Sequence, residues 1–313
     1  MTSSLIVAFD VGGTEIKAAA IADGNIAAAT AGHYATRADL PAGAMVARFV
    51  DVFADILDKA GPDAVADGWG IAFPGPFDYE EGISRIRGLG KFDSLYGLPV
   101  GRLLLEALRS DGRTSGRLTP RFRIAFENDA ALFGLGETRH GGAAEGADRA
   151  VCLTIGTGLG SCFLERGRLV KRRDDVPDEG WLYTVPYQDG IADDYISRRG
   201  ILQLAAELGR NAEQEQLDVR ELAGLADAGD REALRLFERF GRRMADVLLP
   251  ALLRFRPDRI VLGGQISKSA HLFVPAFREA SEPAGLQAEI RLSRDTLSST
   301  LLGVYGLMET AVQ

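Results

Sequence analysis

Leu5-Ile-Val-Ala-Phe-Asp10-Val-Gly12-Gly13-Thr14-Glu-Ile-Lys17-Ala-Ala-Ala-Ile21 is the stretch on which the reading of this chain turns. Leu5 to Phe9 is an uninterrupted apolar run, which suits a buried strand. Asp10 closes it, and an isolated carboxylate is costly to bury, so it is expected to face a polar site or a metal-bound water. Gly12 and Gly13 let the backbone turn tightly and come close to a ligand, and Ile16 to Ile21 reads as the returning strand. The tip then offers backbone N–H groups and the Thr14 hydroxyl, a combination able to hold a phosphate. An ordinary glycine-rich hairpin turn has the same pattern.

The same construction returns at Ala150-Val-Cys-Leu-Thr-Ile-Gly156-Thr157-Gly158-Leu-Gly160-Ser-Cys-Phe-Leu164. Two such hairpins in one chain point to a duplicated architecture with two phosphate-facing loops. Neither is a P-loop, because no Gly-Lys-Ser/Thr follows. Neither is a dinucleotide fingerprint, because the glycines lead into a strand and not a helix.

Outward from these hairpins, Ile26 to Tyr34 is expected as a third strand, Leu40 to Ala60 as an amphipathic helix, and Asp67 to Phe73 as a strand ending in the rigid turn Pro74-Gly75-Pro76. Gly82 to Tyr96, with Arg85, Arg87, Lys91 and Asp93, reads as a solvated loop or as one wall of a ligand site. A strand over Phe122–Phe126 runs into Glu127-Asn128-Asp129 and a helix over Ala130–Thr138. Asn and Asp at that place suit helix capping and suit catalysis. Asp178-Glu179-Gly180-Trp181 and Asp193 are acids that serve as caps or hold polyol hydroxyls. Ile260-Val-Leu-Gly263-Gly264-Gln265 reads as strand, glycine pair, then helix, and Thr300 to Val312 as the final helix.

With 313 residues, 46% hydrophobic and 26% charged, the chain has the length and composition of two globular domains. A net charge of −8 disfavours nonspecific binding to nucleic acid or to an anionic membrane. No apolar run is long enough to span a bilayer, and Met-Thr-Ser-Ser has neither part of a signal peptide, so a cytoplasmic protein is expected. Cys152 and Cys162 are expected as buried thiols.

Taken together, Asp10-Val-Gly-Gly-Thr-Glu-Ile-Lys17, Pro74-Gly-Pro76, Glu127-Asn-Asp-Ala130, Gly156-Thr-Gly-Leu-Gly160 and Val261-Leu-Gly-Gly264 resemble the ROK family of sugar kinases and sugar-responsive repressors. The resemblance covers almost the whole chain. It implies the two-domain α/β actin-like ATPase (ribonuclease H-like) fold with a central cleft: a smaller domain of residues 1–126 plus 300–313, and a larger one of 127–299. It also implies ATP with Mg²⁺ and a sugar as the partners, and a homodimer.

Residue by residue, Asp10 would stand near the metal through water, with Lys17 close by. Gly12, Gly13 and Thr14 would hold one part of the phosphate chain, and Gly156, Thr157 and Gly158 another. Gly263, Gly264 and Gln265 would border the nucleoside. Gly75, Asn128, Asp178, Glu179 and Asp193 would face the sugar. Asp129 would be the base that takes the proton from the attacking 6-hydroxyl of a hexose or aminohexose. The chain departs from the family at the zinc module: Trp181 replaces its histidine, no cysteines follow, and no structural zinc is expected. A repressor of the family carries an N-terminal helix-turn-helix domain, for which a first strand at Leu5 leaves no room. A noncatalytic sugar-binding protein would have no use for Asp10, Asp129 and both glycine loops.

Overall fold

The computed structural model describes residues 4–139, 141–210 and 217–310. By its internal contacts the chain divides into two compact units, Met1–Gly136 with Leu297–Gln313 and Glu137–Thr296.

The first unit is built on the opening hairpin. β1 (Ser4–Val11) and β2 (Glu15–Ala22) pair antiparallel with Asp10 opposite Lys17. The expected third strand is instead two pieces, β3 (Asn25–Ile26) and β4 (Gly32–Ala35), both paired to β2. Between them, residues 28–30 form a single helical turn. An alanine run has little strand preference. The break leaves the Ala20 N–H without a ladder partner, and the buried Thr30 hydroxyl accepts it at 2.8 Å while donating to the Ala27 carbonyl at 2.7 Å. α1 (Ala42–Ala60) lays Met45, Phe49, Phe53 and Ile56 onto the sheet, and β5 (Val65–Ala72) answers with Trp69. That indole is wholly buried, 4.9 Å from the Phe9 ring and 4.8 Å from Phe53.

A small hairpin, β6 (Phe77–Asp78) and β7 (Ile83–Ser84), follows, then α2 (Val100–Ser110), β8 (Leu118–Glu127) and α3 (Asp129–Glu137). The sheet order is β3-β2-β1-β5-β8. β1, β5 and β8 run parallel, and their carboxyl ends are level: Asp10 stands beside Ala72, and Ala72 beside Glu127.

In the second unit, β9 (Arg149–Ile155) and β10 (Leu159–Glu165) form the second hairpin, continued by β11 (Arg168–Leu169). Cys152 and Cys162 face each other across it as buried free thiols. A short hairpin, β12 (Pro186–Tyr187) and β13 (Gly190–Ile191), leads to α4 (Ala192–Tyr195) and α5 (Arg198–Glu207). After α6 (Val219–Asp227) and the long α7 (Arg231–Phe255) come β14 (Arg259–Gly263), α8 (Ala270–Ser281) and β15 (Glu289–Leu292). The sheet order β11-β10-β9-β14-β15 repeats that of the first unit position for position.

α9 (Thr296–Thr310) closes the described chain. It starts before the expected Thr300, and the remainder of the expected helix, 311–312, lies outside the described residues. Most of α9 belongs to the first unit because it packs on α3 with almost no separation. A Cβ on Gly136 would lie 1.7 Å from the Ser299 carbonyl oxygen, and one on Gly303 would lie 1.8 Å from that of Leu132. This contact moves the division of the chain. The expected cut after residue 126 gives α3, with Asp129, to the later domain. By contacts the cut falls after Gly136, and Asp129 stays with Asp10.

Candidate active site

In the first unit, the carboxyl ends of three parallel strands meet the first glycine tip, where open α/β sheets bind their ligands. Gly12 N–H closes the tip by donating to the Glu15 carbonyl at 2.8 Å. The tip's carbonyls are taken by Thr36, which is wholly buried. Its hydroxyl donates to Gly12 O at 2.7 Å and its N–H to Thr14 O at 2.9 Å. Among the described residues the N–H groups of Gly13 and Thr14 have no hydrogen-bond acceptor. The tip is therefore a set of donors held in place from behind, as an anion requires. Thr36 had no signal in the sequence, since only the fold brings it to the tip.

Asp10 and Asp129 carry the charge of this region. Lys17 Nζ lies 3.7 Å from Asp10 Oδ2. Burial nevertheless dominates and pushes the Asp10 carboxyl up to about 6; Lys17 opposes the shift, and the charges of Asp129 and Glu15 add to it. Asp129 opens α3. Its Oδ1 accepts the Ala130 N–H at 2.8 Å. Asn128 caps the same helix, its Oδ1 accepting Ala130 N–H at 3.0 Å and Ala131 N–H at 3.4 Å. Capping falls mainly to Asn128. The Asp129 carboxyl is raised above the ordinary carboxylate range, mainly by the protein packed around it. The Ala130 N–H, Asn128 and the Lys91 charge pull the other way. The residue keeps an exposed surface, so water opposes that shift. Gly75 follows the end of β5, and a Cβ there would stand 3.5 Å from the Tyr79 hydroxyl.

In the second unit, the other glycine tip lies beside the end of β14. Gly156 N–H donates to Gly158 O at 3.0 Å, and Arg198 N–H ties Gly156 O to α5 at 2.8 Å. Among the described residues the N–H groups of Thr157 and Gly158 have no acceptor. Gly264 has φ +86°, and a Cβ there would stand 2.4 Å from the Ile155 carbonyl oxygen, so only glycine allows the two loops to touch. Gly264 N–H donates to Thr296 Oγ1 at 2.9 Å. The expected helix after Gln265 is a 3₁₀ turn over 266–269, then α8. Gly156, Thr157 and Gln265 line a cavity of about 630 Å³ together with Arg198, Arg220 and Lys268. That volume falls in the usual small-ligand range. Arg220 and Lys268 were not legible beforehand: they sit on surface helical turns, and only the cavity groups them.

The acids expected at the sugar behave differently from one another. Asp178 is exposed. Glu179 has φ +52° and pairs with Arg172 Nε and with Lys171 Nζ at 3.8 Å, so its charge is already compensated. Asp193 Oδ1 accepts the Leu159 N–H at 2.7 Å, and its Oδ2 meets Arg199 Nη2 at 3.2 Å. It holds the second glycine tip, a role the sequence reading did not give it. Trp181 lies 5.7 Å from the Tyr183 ring, on a turn fixed to β10 through Ser161, whose hydroxyl donates to Gly180 O at 2.8 Å.

Residues 117–293 match the model of the ROK family. A glucokinase of Thermotoga maritima is 28% identical over 228 residues, 67% of each chain. An N-acetyl-D-glucosamine kinase of Photobacterium profundum is 27% identical over 285 residues, 85% of each chain. Among solved structures, a ROK hexokinase from Thermus thermophilus superposes with a TM-score of 0.76 at 23% identity, covering 99% of this chain and 100% of that one. A ROK glucokinase from Streptomyces griseus in complex with glucose and AMPPNP gives 0.70 at 20% identity, over 97% and 98%. These likenesses show the fold, the two-domain actin-like ATPase architecture.

Proposed function

Because the chain belongs to the ROK family, we propose that it is an ATP-dependent sugar kinase that phosphorylates the 6-hydroxyl of a hexose or aminohexose of the glucose, mannose or kanosamine type. The observation that carries the reading is Asp129: a carboxylate at the strand-to-helix junction, in the same unit as a tip whose Gly13 and Thr14 N–H groups have no acceptor among the described residues, with its proton affinity raised. A base of raised pKa at such a junction is equipped to accept the hydroxyl proton as the oxygen attacks phosphorus. Asn128 would fix the sugar through its amide. Gly13 and Thr14 would hold phosphate oxygens, and the cavity beside Gly156, Gln265 and Lys268 would take the nucleoside end.

Phosphoryl transfer asks little covalent chemistry of the protein and much positioning and charge neutralisation. Magnesium bound with a nucleotide commonly uses one or two carboxylates, water and phosphate oxygens, and the single carboxylate of Asp10 fits that donor set. When bound, the ion neutralises charge on the phosphates. The activities of the relatives, glucokinase and N-acetyl-D-glucosamine kinase, support a sugar substrate without choosing one.

The test is a coupled ADP-release assay with ATP and Mg²⁺ over neutral and amino hexoses, with the product's phosphate position read by NMR. Sugar-dependent ADP release and a 6-phosphate support the reading. Sugar binding with no turnover on any member of the panel removes it in favour of a binding protein.

A further inference from the structure

The side chain of Lys91, in the 85–97 loop, lies over the first glycine tip. A Cβ on Gly13 would stand 2.9 Å from Lys91 Cδ and 3.9 Å from its Nζ. The loop holds the lysine firmly. Gly90, before it, has φ +67°, and its N–H donates to Asp93 Oδ2 at 3.0 Å. Phe92, after it, is a left-handed residue with φ +60°, wholly buried, its ring 5.0 Å from Phe73 and its N–H donating to the Ala38 carbonyl at 2.7 Å. A bulky residue in that backbone region is disfavoured and persists only where its surroundings over-determine it. The strained anchor presents the Lys91 cation at the tip.

The ammonium is also uncommitted. Lys17, the other lysine at this tip, pairs with Asp10 at 3.7 Å. Lys91 has no hydrogen bond or ion pair among the described residues, and its charge acts on Asp129. A cation with no ion pair among the described residues, over a donor-lined tip and within reach of the Asp129 charge, suits an anion that arrives with a ligand.

We propose that Lys91 is a further catalytic residue, one that binds an oxygen of the transferring phosphoryl group from the side of the first glycine tip. The inference rests on the kinase reading above. In the step, the sugar oxygen forms its bond to phosphorus, the bond from phosphorus to ADP breaks, and the hydroxyl proton goes to Asp129. Lys91 keeps its protons and neutralises charge on the equatorial oxygens.

The test compares wild type, Lys91→Met and Lys91→Arg in steady-state kinetics, with sugar binding measured by calorimetry in the absence of nucleotide and folding checked by thermal melts. Methionine keeps the apolar stem and removes the charge. Lys91→Met is expected to lower kcat by about 10²–10³-fold, the scale of one lost transition-state donor, with sugar Kd and melting unchanged. Lys91→Arg is expected to recover part of kcat. An active wild type with unchanged kcat in Lys91→Met overturns this inference alone, as does a weakened sugar Kd with kcat intact. A wild type inactive on every sugar overturns the kinase reading and this inference with it.

Discussion

Replacing Asp10 by Asn should stabilise the ligand-free protein at neutral pH. The carboxyl titrates near 6 in the fold against 3.8 for the free side chain, with burial as the main cause. The folded state therefore binds a proton more tightly than the unfolded state. Below pH 3.8 both are protonated and Asp10 costs nothing. As pH rises through 6 the fold must carry a charge that the unfolded chain carries freely in water, and stability falls. Each tenfold in proton affinity is about 1.4 kcal/mol, so the full cost above pH 7 is on the order of 3 kcal/mol. The side chain is 23% accessible, and water reduces that to roughly 1–3 kcal/mol, on the order of 5 °C in melting temperature for a unit of this size. Asparagine has the same shape and no charge, and Lys17, 36% accessible, is free to turn to solvent. The assay is a series of melts in magnesium-free buffer from pH 4 to 8. The expected gap between Asp10→Asn and wild type is near zero at pH 4, opens through pH 6 and then levels. A variant less stable than wild type at pH 7.5, or a gap that does not vary with pH, refutes the electrostatic account of this site.

Four further outcomes follow from the geometry. The rate should fall on the acid side as Asp129 takes up a proton, at a pH above the ordinary carboxylate range, and a kcat/KM profile that is flat there contradicts a base of raised pKa. Gly264→Ala puts a methyl 2.4 Å from a backbone oxygen at φ +86°, so a melt should show a loss of more than about 1 kcal/mol, with the KM for nucleotide raised. Asp193→Ala frees the Leu159 N–H and loosens the second tip; nucleotide KM should rise several-fold (about 1 kcal/mol,) while sugar Kd holds, and the reverse pattern would mark Asp193 as a sugar ligand. Gly136→Val drives a side chain into Ser299 O; it should cost about 3 kcal/mol or more and expose the α3–α9 seam to early hydrogen exchange.

What the sequence disclosed was local. Both hairpins were legible because an apolar strand, a glycine tip and a second apolar strand write their pairing into a few adjacent residues, and both are observed as antiparallel pairs. Asn128 as cap was legible for the same reason. The alanines of 27–31 hid the break in the third strand, since nothing in that run announces that Thr30 stands in for a ladder partner. The early start of α9 was hidden too, because Ser298, Ser299 and Thr300 are indifferent helix formers whose helix packs on a glycine far away in sequence. The acids were less legible. Asp10 and Asp129, expected in different domains, share a unit because β8 joins β1 through β5, a pairing of strands distant in sequence, and the partners of Glu179 and Asp193, Arg172 and the Leu159 N–H, likewise left no mark on the pattern. Lys91 stood in a loop read as either solvent or ligand wall, and only its position over Gly13 distinguishes the two.

The measurement that bears most directly on the kinase account is single-turnover phosphoryl transfer by Asp129→Asn, on the best hexose of the panel, beside a melt of the same variant. The account expects a rate about 10²–10⁴-fold below wild type in a protein that melts as wild type does. Transfer at the wild-type rate would mean that the proton leaves by another route, and the role given to Asp129 would be lost.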